Sequence, residues 1–188
     1  MWRRQRSRFY IKKIVRYLLD SDVLIAAKNI HYKPGFCQAF WRWLDEGHTA
    51  QLVCSIDKVC DELLNGDADD HLVQWARSKE VAGFFLDTKG LMGKFGEIAN
   101  WALNRQPAYQ PAGLQKFLRV NSADAWLVAF GANLPGEYTI VTNEVAAPEG
   151  RRDVKLPDAA AAFGVPTIRL FELLDLMAYG TFDFRYPH

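Results

Sequence analysis

Four carboxylates stand where they could do chemistry. Two apolar segments end abruptly in acids: 14–19 runs into Asp20-Ser21-Asp22, and 138–141 runs into Thr142-Asn143-Glu144. Glu62 sits beside Val59, Leu63 and Leu64 in a stretch of helical periodicity, and Asp124 falls in the first turn of another apolar helical pattern. In open parallel sheets, ligands bind beyond the carboxyl ends of the strands, so acids at two strand ends are candidates for one shared edge. Carboxylates a few Å apart raise one another's pKa, and a divalent cation removes that penalty. Mg²⁺ and Mn²⁺ favour carboxylate oxygen and keep several waters. Such an ion polarises a phosphodiester and generates hydroxide from water. If gathered, these acids point to phosphate chemistry rather than zinc hydrolysis. The four histidines show no HxH or HExxH spacing, and Cys37, Cys54 and Cys60 form no CxxC pair.

Each candidate also has a plain reading. Turns favour Asp, which covers Asp20. The helix dipole favours an acid at Asp124 without any function. Glu62 could be a solvated helix acid. Asp57 and Asp61 compete for its role, and Glu62 is preferred because it adjoins Leu63 and follows Val59 by three. Asp67, Asp69 and Asp70 read as a solvated helix start. Trp41, Trp43, Trp75, Trp101 and Trp126 lie on amphipathic helices and read as core or dimer interface. Arg151, Arg152 and Lys155 follow Glu144, where a substrate phosphate would be met, and a solvated loop reads equally well. Asp158 is a secondary candidate, expected to cap its own helix from the rim of the site.

The elements that must position these groups are short. Strands are expected at 14–19, 51–54, 84–86, 138–141 and 166–169, and helices at 23–28, 35–46 (with Phe36, Phe40, Trp43 and Leu44 on its apolar face), 55–64 capped by Ser55, 67–79, 88–104, 111–118, 123–133 capped by Ser122, 157–163 and 170–179. That order describes an α/β chain around a small, mostly parallel sheet. The chain has 188 residues, enough for one domain with its own core. It divides into a basic leader (1–13), a domain (14–180) and a short tail (181–188). The net charge of +1 hides a split: residues 1–16 carry seven basic side chains and no acid, leaving 16 basic against 22 acidic residues in 17–188. This is an acidic body with a basic leader, not a uniformly basic nucleic-acid coat. No apolar run approaches a membrane span, and the leader lacks a secretory signal's hydrophobic region. An organelle transit peptide, a misplaced start codon or a flexible arm would all produce it, and the last two are preferred. Unpaired cysteines suit a reducing cytoplasm.

The four acidic segments in order resemble the PIN domain, a family of metal-dependent ribonucleases that includes the toxins of many toxin–antitoxin pairs. The matching segments are Tyr17-Leu-Leu-Asp20-Ser-Asp22-Val-Leu-Ile25, Val59-Cys-Asp-Glu62-Leu-Leu64, Ala123-Asp124-Ala-Trp-Leu-Val-Ala129 and Ile140-Val-Thr142-Asn-Glu144. Glu144 stands where that family has Asp, and Asp22 where Asn is commoner. A finer similarity, to a bacterial PIN-like subgroup, rests on Phe40-Trp-Arg-Trp-Leu44, Val141-Thr-Asn-Glu144 and Leu156-Pro-Asp158. The resemblance spans 14–171. It implies a PIN-like three-layer fold with Asp20, Glu62, Asp124 and Glu144 as catalytic and metal-site acids for Mg²⁺ or Mn²⁺. Thr142 and Asp22 would be their polar neighbours. The implied activity is hydrolysis of RNA by metal-activated water, with an antitoxin protein and a second copy of the chain as partners. Two other readings stay open. One is a PIN-like nucleic-acid-binding or regulatory module of weak activity. The other is a haloacid-dehalogenase-like phosphatase with Asp20 as nucleophile, disfavoured because no paired acids follow Lys155.

Overall fold

The computed structural model describes residues 15–180. The basic leader, Ile14 and the tail 181–188 lie outside the described residues. Strand β1 (Arg16–Leu19) leads through α1 (Ser21–Ala26) and a π-helical turn (Ala27–His31) to α2 (Gln38–Thr49) and β2 (Val53–Ile56). Then come α3 (Asp57–Leu64), α4 (His71–Ala76), β3 (Phe85–Leu86), α5 (Met92–Asn104), α6 (Pro111–Phe117) and α7 (Ala123–Asn133). The chain closes with β4 (Tyr138–Val141), α8 (Leu156–Ala162), β5 (Thr167–Ile168) and α9 (Leu170–Met177). The strands form one all-parallel sheet in the order β3-β2-β1-β4-β5, flanked by helices, as the expected three-layer α/β architecture requires. Among the described residues no helix is long and apolar enough to cross a membrane.

The sheet's centre explains its sequence. Leu18, Leu19, Val53, Ile56, Ile140 and Val141 are fully buried, as strands covered on both faces should be. β1 pairs with β2 on one side (Leu18 with Cys54) and with β4 on the other (Leu19 with Val141). The chain winds first toward β3 and later toward β5, so strand order reverses between β1 and β4. That reversal opens a crevice at their carboxyl ends, the place where such sheets bind ligands.

Several expected boundaries move, each for a local reason. The second strand starts at Val53 because α2 runs on to Thr49 and Gln51 turns the chain with φ 58. Ser55 is therefore a strand residue, and its hydroxyl donates to the Leu19 carbonyl at 2.6 Å instead of capping α3. Phe36 precedes α2 and is 70% exposed, so it does not join Phe40, Trp43 and Leu44 on the buried face. Helix α4 begins only after Asp70, whose carboxylate accepts the Leu72 N–H at 2.8 Å and pairs with Lys28. α5 begins at Met92, since Thr88 donates to Asp57 and Gly90 takes a positive φ. Trp41, Trp43, Trp75 and Trp126 are buried, and Trp101 packs against the core.

Candidate functional site

The crevice beside β1 is lined by acids held from several elements. Asp20 is the residue after β1 and is buried. One oxygen accepts the Ser21 N–H at 2.7 Å, and the other accepts the Thr142 hydroxyl at 2.9 Å across the β1–β4 pair. Thr142 is fixed in turn by the Glu144 N–H, which donates to its Oγ1 at 3.2 Å. Asp22, in the first turn of α1, accepts the Asn143 N–H at 3.1 Å. The loops after β1 and β4 are thus laced together by carboxylates.

The two glutamates reach helix starts. Glu62 projects from α3, accepting the Ser21 hydroxyl at 2.6 Å and the Ala123 N–H at 2.8 Å. Ser122 occupies the cap position of α7 but makes no side-chain cap bond, so the expected cap is supplied from 61 residues away. Glu144 does the same for α8, accepting the Leu156 N–H at 2.9 Å and Lys155 Nζ at 3.3 Å. The first N–H groups of a helix lack internal partners and carry the positive end of its dipole, so carboxylates there are stabilised. Asp158 does not cap its own helix. Both its oxygens accept the Ala147 N–H at 3.1 Å and hold the 145–150 loop.

Asp124 differs from the others. It lies in the first turn of α7 and accepts no hydrogen bond from the described residues. Burial, and then the charges of Glu144 and Glu62, push its pKa from 3.8 up to about 6, with Asp22 adding to the rise. Burial likewise lifts Asp20 well above the usual carboxylate range, helped by Asp22 and Asp124, and burial raises Asp22. Asp124 therefore feels the field of all four other acids. Lys116 is the cation that opposes it.

The donor set is oxygen and anionic, the chemistry a hard divalent cation prefers, and mutual repulsion is the penalty it would relieve. Among the described residues no three His, Cys, Asp or Glu side chains are grouped tightly enough to hold a metal ion. Mg²⁺ does not need such a cage, since it binds through one or two carboxylates plus water and substrate phosphates. Asp20 and Asp124 fit that sparser demand.

The competitors of Glu62 are engaged elsewhere: Asp57 with Thr88 at 2.7 Å, and Asp61 with Lys58 at 3.6 Å on the surface. Arg151 and Arg152 are exposed on the loop beyond Glu144, and Lys155 is drawn onto Glu144 itself. Ser21 escaped attention in the sequence, although a hydroxyl between two acids was the available signal. The backbone N–H of Asn143 left no side-chain signal at all. Cys54 is buried, its thiol pushed by that burial up to about 12, which makes it an inert core residue.

These elements belong to a defined sequence family. A family model described as a domain of unknown function, DUF4411, matches residues 17–179, and the chain belongs to that family. The matched span runs from β1 through α9 and includes every acid of the crevice. No curated protein and no solved structure matches the chain significantly.

Proposed function

We propose that the protein is a Mg²⁺- or Mn²⁺-dependent endoribonuclease of PIN-like type, the toxin half of a toxin–antitoxin pair, acting in the cytoplasm as a homodimer. The observation that supports this most is Asp124: a carboxylate at the start of α7 with no hydrogen-bond donor on it among the described residues, held in the field of the other acids. Protein stability alone gives no reason to crowd anions there. When bound, the cation would polarise the phosphodiester and lower the pKa of the attacking water. Asp20 and Asp124 would hold it. Thr142 and the Ser21 N–H orient Asp20, while Ser21 and the start of α7 orient Glu62. Lys155, Arg151 and Arg152 offer positive charge to flanking phosphates.

The purified protein is expected to cut single-stranded RNA with Mn²⁺. Asp20→Asn and Asp124→Asn should each lower the rate by about 10²-fold or more, the scale of losing one charge-stabilising group. Cutting that survives both EDTA and Asp20→Asn overturns the reading. One observation favours a second reading, a nucleic-acid-binding module of weak activity: every acid but Asp124 already accepts hydrogen bonds from its own chain. RNA binding without Mn²⁺ uptake at millimolar concentration selects that alternative.

A further inference from the structure

A cleft of about 350 Å³ opens beyond the carboxyl ends of β4 and β5, next to the Thr142 that holds Asp20. That is at the small end of ligand pockets, which run from roughly 300 to 1,000 Å³. Thr142, Glu144 and Val145 line it from the β4 side, and Thr167, Ile168, Arg169 and Glu172 from the neighbouring β5–α9 segment. Glu144 lines the cleft and also acts electrostatically on Asp124, so the cleft adjoins the acidic cluster. Val145, on the rim, is 69% exposed.

The charges of the cleft are separated. At one end Glu144 is countered by Lys155. At the other, the Arg169 side chain is exposed and forms no ion pair among the described residues. Glu172, the nearest acid on α9, is turned back to accept the Arg169 backbone N–H at 2.7 Å. Between the ends lie apolar surface from Val145 and Ile168 and the Thr167 hydroxyl. A ligand suited to this shape carries an anion at the Arg169 end and a mixed polar and apolar body in the middle. It leaves no negative charge beside Glu144. One nucleotide of a single strand has that pattern, with its phosphate at the Arg169 end, its sugar and base in the middle, and the next phosphate passing out of the cleft toward the cation that the acids would hold.

We infer that Arg169 grips the RNA phosphate one nucleotide away from the scissile one, with the intervening sugar in the cleft. The inference rests on the ribonuclease reading and adds the substrate's footprint. Arginine suits the role because its planar fork matches two phosphate oxygens at once, which a lysine ammonium cannot do. Glu172 also lines the cleft, but its carboxylate is taken up by the Arg169 backbone N–H, which leaves the Arg169 guanidinium to face an anion.

The test compares wild type, Arg169→Ala and Arg169→Lys on a short single-stranded RNA with Mn²⁺, reading KM, kcat and the salt dependence of binding. Arg169→Ala should raise KM about tenfold and leave kcat within about twofold. It should also reduce the slope of log K against log salt by about 0.7, the loss of one single-strand phosphate contact. Arg169→Lys should recover most of the slope but only part of KM. Unchanged melting of both variants separates a lost contact from a damaged fold. If wild type cuts RNA and Arg169→Ala matches it in KM and slope, the footprint is wrong and the ribonuclease reading stands. If wild type neither binds nor cuts RNA, both fall together.

Discussion

Phe40 and Trp41 of α2, Trp75 of α4 and Phe84 form an aromatic block. Phe40 stacks on Tyr32 at 4.5 Å and meets Trp41 edge-on at 5.4 Å, and Trp75 meets Phe84 edge-on at 5.2 Å. The indole N–H of Trp41 reaches the Tyr32 carbonyl at 2.9 Å, and that of Trp75 reaches Asp45 at 3.1 Å. At the carboxyl ends of β1 and β4, comparable burial encloses Asp20 and raises its pKa. Removal from water therefore acts with opposite sign in the two regions. It stabilises rings whose few polar atoms are satisfied, and it penalises anions that repel one another. A chain that keeps the second arrangement beside the first is using stability from its aromatic block to hold a costly crevice in shape.

The contrast breaks most easily at its strong end. Phe40→Ala should cost about 3–5 kcal/mol in urea unfolding, the range for emptying a fully buried aromatic site. A loss under about 1 kcal/mol would mean the block is not what stabilises the domain. At the acidic end the sign should reverse. Asp124 has its pKa raised from 3.8 to about 6, so the folded protein binds that proton more tightly than the unfolded chain does. Stability then falls as pH rises from about 4 to about 6 and stays low above that. Asp124→Asn should accordingly stabilise the protein at pH 8, by about 2 kcal/mol after allowance for its partial exposure, and flatten that pH dependence. Destabilisation at pH 8 would remove the contrast.

Glu62 sharpens the comparison, because it repels Asp124 while also capping α7. Glu62→Ala should lose about 1–2 kcal/mol by stripping the Ala123 N–H and the Ser21 hydroxyl of their acceptor. Glu62→Gln should lose less, since it keeps one acceptor oxygen and removes the charge. Equal losses would assign Glu62 to charge alone. The smallest effect is expected from the cation itself. At about ten times its Kd, Mn²⁺ should add roughly 1.4 kcal/mol to wild type at pH 8. The gain should shrink at pH 5, where protonation of Asp124 competes, and should be lost in Asp124→Asn. An equal gain in wild type and variant would place the ion elsewhere.

The fold was legible where the signal was local. The β-branched and leucine-rich runs around Leu18 and Ile140 announce strands buried on both faces, and the order of strands and helices announces a parallel sheet. Boundaries failed where a distant partner or a single backbone angle decided them, as at Gln51 and Ser55. The acids were legible as types in order, but their employment was not. Nothing near Ser122 says that Glu62 will cap its helix, and nothing near Leu156 says that Glu144 will. Arg169 passed unnoticed for the same reason: one arginine between two apolar segments acquires meaning only when β5 sets it beside β4.

The pairing of β1 with β4 has a consequence in time. Asp20 is bound to Thr142 across 122 positions of the chain, so the crevice cannot exist until that much more chain has followed the first acid out of the ribosome. At roughly 5–20 residues per second, the first acid waits about 6–25 s for its partner. A nascent chain threaded through a machine made of RNA therefore carries its acids unassembled until the central strand is joined on both sides.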